Sequence, residues 1–173
     1  MANDNAPSGF TPWGPILQIR SFDVRGNYNF PYFIGDVMGF QTDGYVTAVV
    51  GGSTLICGSN LTFVTGAVTG TVRIACDPNQ LFWAQDNTSG TLTIAAVGLN
   101  VDHLYAEGSI NTKRSKTVVA TQTTDPVATA AGFKLTGLLD RTNSDGTRNG
   151  YGAYNKVVVI PDEHVFKYPM TGY

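Results

Sequence analysis

The sequence predicts an all-β protein: a single small barrel or sandwich with extended N- and C-terminal arms and at most one or two short helical turns. Three observations predict it. Val, Ile, Thr, Phe and Tyr dominate short runs from Tyr28 onward, and these residues suit a pleated, half-buried surface. Gly, Asn and Asp cut the runs at short intervals, as strand-connecting turns require. No regular helical pattern separates one run from the next, which argues against a parallel sheet built from strand–helix–strand units. The 173 residues suffice for one domain with a sizeable core. The expected boundaries are an arm over 1–27, a β domain over 28–165 and a tail over 166–173.

The arm contains "NAPSGFTPWGPILQIRSF", with Phe10 and Trp13 set among Pro7, Pro12 and Pro15. Proline lacks an amide donor and clashes with the preceding helical turn, so neither a helix nor a central strand runs through this stretch. In the β domain, a run ends near Phe40, "TDG" turns the chain, and Tyr45 to Val50 follows. Gly51-Gly52-Ser53 marks the next turn. Leu61 and Phe63 alternate with Thr62 and Val64, and Val72 and Ile74 alternate with Thr71, Arg73 and Ala75. That period of two is a strand signature. Asp77-Pro78-Asn79 punctuates before "LFWAQ".

Ile94, Val97 and Val101 fall at helical spacing with Gly98 as a stop, predicting a short helix or a single helical turn capped from "NTSG". "SINTKRSK" reads as a polar loop, and "DPVATAAGF" as a connector with room for one helical turn. In "FKLTGLLD", Phe133, Leu135 and Leu139 point inward and Lys134 and Thr136 outward. "RTNSDGTRNGYG" predicts a long flexible loop. "AYNKVVVIP" is strongly strand-like and stops at Pro161, and "VFKYPMTGY" again sets aromatics around a proline.

Charged residues make up 14% of the chain, well below the roughly 25% of average soluble proteins. Thr, Ser, Asn and Gln must therefore form much of the surface, which suits a protein living inside an assembly. The net charge of -2 disfavours a nucleic-acid binder, which carries a clustered basic face. The dense basic run is Lys113, Arg114 and Lys116, read as a solvated loop tip or a contact for an acidic partner. No run reaches the roughly 18 apolar residues of a spanning helix, so no membrane partner is expected. "MANDNAPSGF" lacks the basic start and apolar run of a secretion signal, so synthesis in the cytoplasm is expected. There Cys57 and Cys76 are expected to be small buried side chains, with a late disulfide as the alternative.

Catalytic chemistry is thinly represented. His103 follows Asp102 and His164 follows Glu163, but neighbours on a strand face opposite sides. There is no G-x-S-x-G elbow and no Cys-x-x-Cys, so no nucleophile or metal set is expected. No enzyme activity and no cofactor are predicted. "DRTNSDG" fails as an EF-hand, because Arg141 stands where a carboxylate is needed and Gly152 where a Glu is needed. Asn60-Leu61-Thr62 and Asn87-Thr88-Ser89 match the glycosylation sequon and read as chance matches. Trp83 beside Phe82 could stack on a sugar ring, though packing of at least one of them in the core is the expectation.

Taken in order, "NAPSGFTP", "FIGDVM", "DGYVTAV", "DPNQLFWAQ", "AAVGLNVD", "TTDPVATAAGFKLTGLLDR" and "GAYNKVVVIPDEHVF" resemble a family of small virion structural proteins of tailed bacteriophages. Those proteins are encoded beside the major capsid protein and look like capsid decoration, or cement, proteins. The chain departs from the family at "IPDEH", where the family usually has an I-N-E-H strand end, and in a longer "RTNSDGTRNGYG" loop. The resemblance implies a structural role on the virion and no catalytic residues. It implies the major capsid protein as partner, and a homo-oligomer, trimer or dimer. No nucleic acid or membrane is expected as partner, and a host glycan is possible. Phe10, Trp13, Ile16, Leu17, Phe166, Tyr168 and Tyr173 are the expected capsid contacts. An arm of this kind is expected to be removable over 2–19 without unfolding the domain. The alternatives are another virion component (tail, neck or head fibre) and a carbohydrate-binding adhesion module.

Overall fold

A computed structural model describes residues 3–25, 31–50, 55–66, 69–87, 92–120 and 131–167. The architecture is all-β. Strands β2 (Ile19–Val24), β3 (Val37–Phe40), β4 (Val46–Ala48), β5 (Ile56–Asn60) and β6 (Gly70–Ala75) close into a barrel in the order β2-β4-β3-β5-β6. A second sheet runs β1-β7-β11-β10-β8-β9. Its strands are β1 (Thr11–Pro12), β7 (Phe82–Gln85), β8 (Asn100–Leu104), β9 (Val118–Ala120), β10 (Phe133–Leu138) and β11 (Lys156–Pro161). Among the described residues these strands pair antiparallel with one another except where β2 meets β4 in parallel at Val24 and Val46; isolated parallel bridges join Ile34 to Arg114, Ile56 to His164 and Asp86 to Val119.

Two cores follow from strand periodicity. Val24, Met38, Val46, Cys57, Val72, Ile74 and Cys76 fill the barrel. The other side of the same strands supplies Val37, Ile56 and Ala75, which pack with Phe82, Phe133, Leu135, Val157 and Val159 of the sheet. Strands β3 and β5 are thus covered on both faces. β5 is buried at every position, and a strand covered on both sides reads as a continuous small or apolar run rather than an alternation. That is why "ICGSN" gives no period-two signal. Gly58, at φ +135, lies so close to β6 that a Cβ there would overlap the Ala75 carbonyl.

Burial at Phe133, Leu135 and Leu139 and exposure at Lys134 and Thr136 match the alternation of "FKLTGLLD". β11 ends at Pro161, paired with Phe133. Among the described residues the helix is a 3-10 turn over Ile94–Ala96. Its N-cap is Thr93, whose side chain makes no cap hydrogen bond, and Val101 already belongs to a strand. The proposed cap residues 88–90, the Gly51-Gly52-Ser53 turn and most of the "DPVATAAGF" connector lie outside the described residues. Residues 61–64 make an isolated bridge between Tyr32 and Val64 instead of a full strand.

The 1–27 arm boundary is corrected. β2 is a barrel wall, paired over six positions from Ile19–Ala75 to Val24–Gly70. Upstream of it, Phe10 is 1% exposed and stacks on Phe133 at 4.6 Å between ring centroids. Phe10 N–H donates to the Gly35 carbonyl at 2.8 Å. That approach needs glycine on both sides, because a Cβ on Gly9 (φ +71) would sit 2.6 Å from the Gly35 oxygen. The prolines do forbid a helix and a central strand. β1 obeys them by being two residues long at a sheet edge, where Pro12 forfeits no ladder bond.

The long loop after β10 also differs from expectation, being pinned by the chain's start. Asn3 Nδ2 donates to the Gly150 and Ala153 carbonyls at 2.9 and 2.8 Å, and Asn143 Nδ2 donates to Asn3 Oδ1 at 3.1 Å. The Asp4 carboxylate accepts from the Ser144 N–H at 2.7 Å and from its hydroxyl at 2.9 Å.

Candidate functional site

The segment between β1 and β2 carries the largest run of exposed apolar side chains among the described residues. Its backbone is held in place. Trp13 N–H donates to the Leu81 carbonyl at 2.8 Å, Leu17 N–H to Gln80 Oε1 at 3.0 Å, and Cys76 N–H to the Gln18 carbonyl at 3.0 Å. Gln80 is itself buried and holds the segment from beneath, its Nε2 donating to the Leu81 carbonyl at 2.9 Å. Pro15, flanked by Gly14 at φ +78, and the absence of a paired strand keep the segment off the sheet. Its side chains are consequently exposed, Trp13 by 43%, Ile16 by 44% and Leu17 by 54%, and Ile19, the first residue of β2, follows at 40%.

Phe166 lies apart from this segment, against the barrel side of β2. The Arg20 guanidinium lies 4.8 Å from the centre of the Phe166 ring, a cation–π contact. The ring packs edge-on to Phe40 at 6.2 Å, and Phe40 in turn to Phe22 at 5.3 Å. Phe166 is 41% exposed. Isolated exposed apolar residues are ordinary, whereas a contiguous group marks a contact surface.

Of the expected contact residues, Trp13, Ile16 and Leu17 are exposed along one short segment, followed by exposed Ile19, while Phe166 is exposed beside Arg20 and Phe40. Phe10 is corrected: its ring is spent in the core and has no surface to offer. Tyr168 and Tyr173 lie outside the described residues. Only Thr11 and Pro12 separate Phe10 from Trp13, yet one is core and the other surface. No local pattern distinguishes them, because the chain is irregular there and the tertiary contact at Gly35 decides.

The remaining candidates resolve individually. His103 is buried, with Nε2 2.9 Å from the Val49 carbonyl and its ring edge-on to Phe10 and Phe133; burial holds its pKa below the ordinary value. His164 is buried too, and burial pulls its pKa down to about 4. Its Nδ1 accepts from the Phe166 N–H at 3.2 Å, so it orients Phe166 rather than meeting solvent. Cys57 and Cys76 are free thiols buried in the barrel, and burial pushes both pKa values up, which makes them poor nucleophiles. Asn60 of the first sequon is buried and donates its amide to the Phe33 and Thr62 carbonyls, so the nitrogen is not open to a glycan. Asn143 and Asp145 of the would-be calcium loop are engaged with Asn3 and Thr147. Among the described residues no group of three His, Cys, Asp or Glu side chains is placed to hold a metal ion. Phe82 is core while Trp83 stays half-buried. Compared with protein-family models, curated proteins and solved structures, the chain matches none.

Proposed function

We propose that this protein is a capsid decoration (cement) protein: it binds the outer surface of a tailed-phage head and stabilises the shell against the pressure of packaged DNA. The observation that carries this reading is the run Trp13, Ile16, Leu17 and Ile19, exposed on a backbone fastened at Trp13, Leu17 and Gln18. Fully burying one such side chain is worth roughly 1.5–3 kcal/mol. Because the backbone is already ordered, little of that gain is lost to fixing the segment on binding. The resemblance to decoration proteins supplies the partner, the major capsid protein, and the setting, the virion surface. Repetition of the contact over a symmetric shell, by a homo-oligomer on local symmetry axes, multiplies a modest single-site affinity. In this reading the protein acts mechanically, with no catalytic group and no cofactor.

Co-sedimentation with undecorated capsids tests it. The wild-type chain is expected in the pellet, and Leu17→Asp in the supernatant with its unfolding midpoint unchanged. A wild-type chain that stays in the supernatant at every salt concentration overturns the reading. Copy number in the particle separates it from a tail, neck or head-fibre role: copies in register with the capsid lattice support decoration, and copies matching the tail symmetry refute it.

A further inference from the structure

We propose that an open cavity of about 500 Å³ on the face shared by the chain's start, β7 and the 141–144 loop is a binding site for an acidic sugar, a saccharide unit bearing a carboxylate. The volume falls within the usual range for small-ligand sites. Arg114, Arg141 and Lys156 line it against a single carboxylate, Asp4. Asp4 is already committed, since it accepts two hydrogen bonds from Ser144. None of the three cations takes part in an ion pair among the described residues; the ion pairs there are Arg25–Asp43 and Arg148–Asp140. The Ser144 hydrogen bonds and, more weakly, the Lys156 charge hold the Asp4 carboxyl below its usual range; with one carboxylate against three cations, the cavity still keeps a local excess of positive charge on a chain whose net charge is -2.

Lys156 is the telling residue. It is only 7% exposed, yet its ammonium makes one long hydrogen bond, 3.4 Å to Asn143 Oδ1. An ammonium has three donors, and buried charges are normally paired. The Ser8 hydroxyl at the same cavity is buried with no hydrogen-bond partner. Two donors are thus withdrawn from bulk water and left under-used at the same place, which is the state expected of a site awaiting an anion with hydroxyl groups.

Trp83 gives the site its second character. Its half-buried indole forms an apolar wall, and the Arg141 guanidinium lies 5.5 Å from the ring centre. This cation–π contact holds the guanidinium beside the indole and leaves N–H groups for bidentate pairing with a carboxylate. An apolar wall beside cations and short hydroxyl and amide side chains complements a pyranose ring: the C–H face against the indole, hydroxyls toward Ser8 and Asn143, the carboxylate toward Arg141 and Lys156. The Lys113-Arg114 turn, a solvated tip by sequence, contributes Arg114 because Ser109 and Arg114 bridge across it.

The site is independent of the capsid contact and is tested on the isolated full chain. Calorimetric titration with a hexuronate trisaccharide is compared with the neutral hexose trisaccharide of the same linkage. Binding of the acidic sugar is expected, with the neutral one at least about tenfold weaker. Arg141→Ala and Trp83→Ala, neither in the deep core, are each expected to weaken binding by about tenfold. Equal binding of the two sugars, binding of neither, or affinity untouched by both substitutions overturns the proposal. So does a nucleoside monophosphate or inorganic phosphate that binds as tightly as the hexuronate, which would make this a phosphate site instead.

Discussion

Asp36 carries a fully buried carboxyl group whose pKa is pushed up to about 6, chiefly by burial, with the Ser115 hydroxyl and the Phe33 N–H drawing it part of the way back. The folded state thus binds a proton at Asp36 more tightly than the unfolded chain does. Between the ordinary value of 3.8 and about 6, this group makes stability fall as pH rises. His103 and His164 act in the opposite sense: both are held neutral by burial. Their contribution is complete above the unfolded pKa of 6.5 and is lost as pH falls toward about 4, the value for His164. Asp36→Asn retains an acceptor for the Phe33 N–H and removes the buried charge. It is expected to raise stability at pH 7 by roughly 1–3 kcal/mol and to lose that advantage as pH falls from about 6 to 3.8. Urea unfolding at several pH values checks this; a difference independent of pH contradicts it.

The segment upstream of β2 behaves as two elements joined end to end. Gly9 and Phe10 are internal, with Phe10 filling the space between barrel and sheet, and β1 extends the sheet at its edge beside β7. Residues 13–19 are a rim, with fastened backbone and exposed side chains. Truncation separates them. Phe10→Ala leaves a cavity against Phe133 and is expected to cost about 3–5 kcal/mol. Trp13→Ala is expected to change stability by less than about 1 kcal/mol while weakening shell binding. Denaturant midpoints measured side by side decide it, and equal losses from the two substitutions would show the rim to be as structural as the core.

At the scale of the molecule, the start of the chain is a clasp. Asn3 and Asp4 tie the 143–153 loop, Gly9 and Phe10 enter the barrel–sheet interface, and β2 closes the barrel between β4 and β6. Deleting 2–19 is therefore expected to unfold the domain, contrary to what its proline-rich sequence suggests; far-ultraviolet circular dichroism and the loss of a cooperative melt report it. A shortened chain that still melts cooperatively would mean the clasp is dispensable. Capsid contact is better probed by single substitutions in the rim, which leave this clasp intact. Both proposed surfaces depend on it as well, since the rim begins one residue past β1 and the acidic-sugar cavity is walled by residues 4–11.

The sequence by itself determined the β class, the alternation of β6 and β10, the stop at Pro161 and a helical turn near Ile94. These are local matters, written in residue type, period and proline position. Tertiary structure alone decided the rest. Phe10 became core because Gly35, distant in sequence but adjacent in the fold, admits its backbone; β5 stayed illegible because both its faces are covered. The cavity was invisible because Ser8, Trp83, Arg114, Arg141 and Lys156 are far apart in sequence and meet only when β7, β11 and the 141–144 loop are laid together. A linear pattern reports what one strand shows to one side, and it cannot report which distant strand will cover the other.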